Sequence, residues 1–104
     1  MRISQIGEFG LIERLKNILS SPLIGDDTAP IQIDSKTFLL TTDSMIEDRH
    51  FKRFYPPQAI GWKVISINVS DVVSSGGTPL YALVSLALPD LEVSYVDALY
   101  SGIK

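Results

Sequence analysis

The stretch between Pro56-Pro57 and Gly76-Gly77 constrains this chain most. Proline suits the first turn of a helix, where its missing N–H would have no partner anyway, and glycine suits the left-handed cap that closes one. The span between them therefore predicts a single long helix. Ile60, Val64, Ile65, Ile67, Val69, Val72 and Val73 make it apolar on most sides. Such a helix belongs against a sheet or a subunit interface, even though β-branched residues lower its intrinsic propensity.

The remaining elements follow from spacing. Leu11, Ile12, Leu15, Ile18 and Leu19 recur at helical intervals, which predicts an amphipathic helix over about residues 8 to 20, stopped by Ser20, Ser21 and Pro22. Ile31 to Thr42 reads as two strands divided by a tight turn at Asp34, Ser35 and Lys36. The apolar run Leu80 to Leu88, closed by Pro89, reads as a strand buried on both faces. Ser94 and Asp97 match a capping box opening a last helix through Val96, Leu99, Tyr100 and Ile103. The order helix, two strands, helix, strand, helix is α+β, with a mixed or antiparallel sheet packed on helices and an edge strand that needs cover from another subunit. Residues 1–104 are expected to form one domain, and the missing C-cap or final strand after Gly102, Ile103 and Lys104 suggests the front portion of a longer protein.

Composition narrows the chemistry. The chain is 45% hydrophobic with a net charge of −3, and its nine Lys and Arg form no basic stripe, which argues against a nucleic-acid partner. There is no cysteine, so disulfides, thiolate nucleophiles and sulfur-ligated metals are excluded. Met1 to Gly10 lacks the continuous apolar core of a signal peptide, and Leu80 to Leu88 is too short to cross a bilayer as a helix. A cytoplasmic protein without a membrane partner is expected.

Asp26, Asp27, Asp43 and Asp71 have no basic residue beside them in sequence. If the fold gathers them, two carboxylates about 4 Å apart repel by roughly 4 kcal/mol at an effective dielectric near 20. A divalent cation turns that repulsion into binding, and oxygen ligands without cysteine or clustered histidine favour Mg²⁺, Mn²⁺ or Ca²⁺. Asp71 shares a stripe with Ile60, Val64 and Ile67 on the long helix and is expected on a buried face, where it must be protonated, paired or bound to metal. The alternative is a hydrogen bond to backbone amides or to Ser74 and Ser75. Asp43, after Thr41 and Thr42, is either a ligand at a strand end or a polar turn, and Gly25-Asp26-Asp27 also suits an ordinary turn. His50 is the one histidine, and no serine stands in a nucleophile elbow. Arg49 and His50 either meet a substrate phosphate or sit in a solvated loop. Ser74-Ser75-Gly76-Gly77 closes a helix and reads as a C-cap, since a phosphate loop precedes one.

Taken together, Ile24-Gly25-Asp26-Asp27-Thr28-Ala29, Thr41-Thr42-Asp43 running on to His50-Phe51, and Ile60-Gly61-Trp62-Lys63 running on to Asn68 and Asp71, with Gly76-Gly77-Thr78-Pro79, resemble the thiamine-monophosphate kinases. The resemblance covers the N-terminal, ATP-binding domain of that family, a fold shared with aminoimidazole ribonucleotide synthetase. It implies transfer of the γ-phosphoryl group of ATP to thiamine monophosphate with several Mg²⁺ ions, chemistry that needs alignment and charge neutralisation more than a covalent nucleophile. Carried over, it implies that Asp27, Asp43 and Asp71, with Thr41 and Thr42, hold Mg²⁺ and the ATP phosphates, that Asp26 is a secondary candidate, that His50 meets thiamine monophosphate, and that Tyr100 stands near the nucleotide at the start of the last helix. No residue is assigned as a catalytic nucleophile or base. The resemblance also implies a homodimer whose N-terminal sheets pair, and a later Gly-Gly-Asp motif and C-terminal domain outside residues 1–104. The other readings are a non-catalytic nucleotide-binding and dimerisation module, or another ATP-dependent relative such as a hydrogenase-maturation dehydratase.

Overall fold

The computed structural model describes residues 1–104. Its elements run α1 (Ile3–Leu19), β1 (Ala29–Ile33), β2 (Lys36–Leu40), α2 (Pro57–Ser74) and α3 (Val93–Ile103), an α+β arrangement with one two-stranded antiparallel sheet. The chain divides into two compact units, Met1–Leu40 and Thr41–Lys104.

In the first unit, α1 starts earlier than the apolar spacing predicts, but Gly7 breaks it with φ 70° and ψ −179°. The continuous part after that break is the expected helix. Ser20 closes it in the left-handed region at φ 50°. The N–H of Ser20 donates to the Asn17 carbonyl and that of Ser21 to the Lys16 carbonyl, both at 3.3 Å, which satisfies two of the carbonyls a helix end leaves open. In the hairpin, Ala29 stands opposite Leu40 and Ile33 opposite Lys36, so Asp34 and Ser35 alone make the turn. Asp34 takes φ 55° there, a conformation that aspartate tolerates through its short, locally bonding side chain. The strand ends at Leu40, two residues before the expected Thr42.

In the second unit, Pro56 is the N-cap of α2 and Pro57 its first residue, as the proline rule predicts. At the other end Gly76 takes φ 84°, its N–H donates to Val73 and that of Gly77 donates to Val72, at 3.0 and 2.9 Å. This double closure is the glycine C-cap that the sequence announces. The start of α3 differs from expectation. Glu92 is the N-cap, so Ser94 falls inside the first turn and forms no side-chain cap.

The two helices of this unit cross at glycine. A Cβ on Gly61 would collide with the Leu99 carbonyl oxygen and lie 2.9 Å from its carbon, and a Cβ on Gly102 would collide with the Gln58 carbonyl oxygen. Only hydrogen at both positions lets the backbones approach this closely. Beside the crossing, Ile60 and Leu99 are the buried apolar side chains, 5% and 8% exposed.

Leu80 to Leu88 is not a strand. Tyr81 and Leu83 are fully exposed, at 99% and 103%. Both strands of the chain lie in the first unit, so this run has no ladder partner in its own unit. No helix is long and apolar enough to cross a membrane.

Candidate functional site

The acids fall in both units: Asp26 and Asp27 follow α1 in the first, while Asp43 and Asp71 belong to the second. Asp26 Oδ1 accepts the Asp27 N–H at 2.8 Å, and Asp43 Oδ1 accepts the Ser44 N–H at 3.0 Å. Each of these carboxylates is exposed and turns one oxygen onto its own backbone. Thr28, the next residue after the first pair, is 5% exposed. Its burial was not legible from a polar residue beside two acids. Thr41 is half-buried and Thr42 exposed, both just past β2.

Asp71 lies on α2 and is half-buried, as are Val64 and Ile67 on the same stripe. The serines that follow do not serve its carboxylate. The Ser74 hydroxyl donates to the Asp71 backbone carbonyl at 3.0 Å, and the Ser75 N–H reaches the same oxygen at 3.2 Å. Asp43 and Asp71 take no part in the ion pairs Lys52–Asp48 and Arg53–Glu47. One turn before Asp71, the Asn68 amide donates to the Val64 carbonyl at 2.8 Å, which pins that side chain to the helix.

No group of three or more Asp, Glu or His side chains stands close enough to form a metal cage. Magnesium does not require one. It is held by one or two carboxylates together with water and substrate phosphates, and the donors here, carboxylate and hydroxyl oxygens alone, match its preference.

A hydrogen-bonded turn surrounds His50. The His50 N–H donates to the Ile46 carbonyl and the Ile46 N–H donates back to His50 Nδ1, both at 2.9 Å. Asp48 takes φ 67°, which lets its N–H reach the Phe51 carbonyl at 2.7 Å. Beside the turn, Arg53 Nε and Nη2 grip Glu47 Oε1 and Oε2 at 2.6 and 3.0 Å. That hydrogen-bonded fork holds the Glu47 carboxyl below the usual carboxylate range, and Glu47 in turn raises Arg53. The Lys63 ammonium donates to the His50 carbonyl at 2.8 Å. The sequence signal for that contact was slight: Lys63 is the one basic residue on α2. Tyr100 is 41% exposed and sits late in α3, not at its start as expected.

Comparison with known proteins adds to this geometry. The family described as AIR synthase related protein, N-terminal domain, matches residues 25–104. The chain is 58% identical over 105 residues to a thiamine-monophosphate kinase of Aquifex aeolicus, spanning 100% of this chain and 34% of that protein. A thiamine-monophosphate kinase of Prochlorococcus marinus is 35% identical over 105 residues, with 98% of this chain and 32% of the relative covered. A solved structure described as AaThiL complexed with AMPPCP and TMP superposes with a TM-score of 0.94 at 58% identity, covering 99% of this chain and 34% of that one. The chain therefore spans about a third of the length of the relatives it matches.

Proposed function

The chain belongs to the family of AIR synthase related proteins through its N-terminal domain, and from that premise we propose that residues 1–104 are the ATP- and metal-binding, dimer-forming part of a thiamine-monophosphate kinase. The reaction is transfer of the γ-phosphoryl group of ATP to thiamine monophosphate, giving thiamine diphosphate and ADP in the cytoplasm. The observation that carries this reading is the 58% identity to the Aquifex relative across the whole chain.

In this reading Asp27, Thr41, Thr42, Asp43 and Asp71 supply the oxygen ligands for Mg²⁺. When bound, the ions neutralise the phosphate oxygens and align them for in-line transfer. Supporting it, Asp43 keeps Oδ2 clear of its local turn bond and the Asp71 carboxylate is not consumed by the serines that cap α2. Tyr100 borders the nucleotide, and His50 meets thiamine monophosphate from a turn that presents its ring to solvent. The unpaired run 80–88 supplies the strand through which two copies associate.

The test is incubation of the full chain with ATP, Mg²⁺ and thiamine monophosphate and separation of the products. Formation of thiamine diphosphate rules out a non-catalytic module, whereas nucleotide binding without turnover supports one. Asp43→Asn and Asp71→Asn are expected to abolish Mg²⁺-dependent nucleotide binding while leaving the metal-free fold at least as stable, because like charges are removed. Marked unfolding of either variant without metal would identify the acids as structural.

A further inference from the structure

The turn around His50 closes on itself through several hydrogen bonds. Ile46 receives the N–H of His50 and that of Arg49 on its carbonyl, at 2.9 and 3.1 Å. It returns its own N–H to His50 Nδ1 at 2.9 Å. With Nδ1 committed as an acceptor, the neutral imidazole carries its proton on Nε2 and offers an N–H donor on its outer side. These bonds shape the turn internally. They do not aim it, because a turn closed on itself can still move as a body relative to the helix beside it.

The His50 carbonyl lies outside this internal set, and Lys63 takes it, at 2.8 Å across 13 residues of sequence. Lys63 stands on α2, whose neighbouring Ile60 and Gly61 are buried at the crossing with α3. The anchor point is therefore on the best-packed part of this unit. A lysine ammonium directed at a backbone carbonyl, with no carboxylate competing for that bond, is a charge-assisted tether from a rigid helix to a small exposed turn.

We propose that Lys63 is a positioning residue which, by holding the His50 carbonyl to α2, aims the His50 Nε2–H at an acceptor atom of the monophosphate substrate. The inference rests on the reading of His50 as a substrate contact, and it adds a residue that touches His50 and not the substrate.

The test uses the full chain labelled with ¹³C,¹⁵N-histidine, without ligand, alongside steady-state kinetics. In the wild type the single histidine should show a pyridine-like Nδ1 and a protonated Nε2. Lys63→Met should keep that ring pattern, because the Nδ1 bond is internal to the turn, and should shift the His50 backbone carbonyl resonance, because its ammonium donor is lost. It should raise the KM for thiamine monophosphate about five- to tenfold, as expected for losing one exposed charge-assisted bond, with kcat and the KM for ATP within about twofold. Lys63→Arg, whose guanidinium can reach the same carbonyl, should restore both readouts. An unchanged His50 carbonyl resonance in Lys63→Met overturns the proposal, as does a loss spread equally over kcat and both KM values. His50→Ala separates the two claims. If it leaves the KM for thiamine monophosphate unchanged, the substrate role of His50 fails, while the spectrum of Lys63→Met still decides the tether without any turnover.

Discussion

Two regions of the second unit are rich in apolar residues, and the more apolar of them is the one left exposed. The α2–α3 pair buries Ile60 and Leu99 against a crossing made possible by Gly61 and Gly102. Leu80 to Leu88 leaves Leu80, Tyr81 and Leu83 at 66%, 99% and 103% exposure. The difference lies in where each element finds its hydrogen bonds. A helix satisfies its backbone within itself and needs from a neighbour only a matching surface, whereas an extended run needs another strand before it can be buried at all. Hydrophobicity alone does not decide which segment becomes core.

The sharpest way to break this comparison is to put a methyl group into the crossing. Gly61→Ala or Gly102→Ala should destabilise the chain by about 3 kcal/mol, the upper range for overpacking, read as a lower urea midpoint. Helix propensity alone predicts the reverse, a gain of about 1 kcal/mol from replacing glycine in a helix. A neutral or stabilising result would show that α2 and α3 do not meet at their backbones. Gly76→Ala is the natural contrast. No atom lies within 4 Å of its Cβ position, but φ is 84°, so the cost should be only the left-handed penalty of about 1 to 2 kcal/mol.

The extended run should respond in the opposite sense. Leu83→Asp is expected to change the stability of the isolated chain by less than about 0.5 kcal/mol, as for an exposed site, yet to weaken self-association measured by sedimentation. A fall in stability with association unchanged would show that the run packs within its own chain.

The smallest effect belongs to the exposed Glu47–Arg53 pair. Glu47 is held below its ordinary value by the Arg53 hydrogen bond. Its contribution is therefore fully present above the unfolded carboxylate value of about 4.3 and is lost as the pH falls through the lower folded value. Arg53 is shifted upward and stays charged throughout that range. Arg53→Met should return Glu47 to an ordinary titration, followed by carboxyl NMR, and should remove that acid-side dependence. A Glu47 curve unchanged by the substitution would place the cause elsewhere.

Much of the local structure was legible in the residues themselves. Pro56-Pro57 and Gly76-Gly77 marked the two ends of α2 within a residue or two, Asp34-Ser35 marked the hairpin turn, and Ser20 to Pro22 marked the end of α1. These signals act over a few residues through φ preferences and missing donors, so one sequence is enough to read them. The absence of cysteine likewise excluded disulfides and sulfur-ligated metals. The Ser94 capping box and the strand at 80–88 misled, because a cap competes with neighbouring backbone geometry and a strand depends on a partner elsewhere.

Only the tertiary structure decided that Gly61 serves a helix crossing, that Lys63 holds His50, and that the serines after Asp71 bond its carbonyl and not its carboxylate. Each of these is a matter of which group meets which in space. Residue type and spacing state what a side chain can bond to, but the partner is chosen by packing between segments that the sequence order keeps apart.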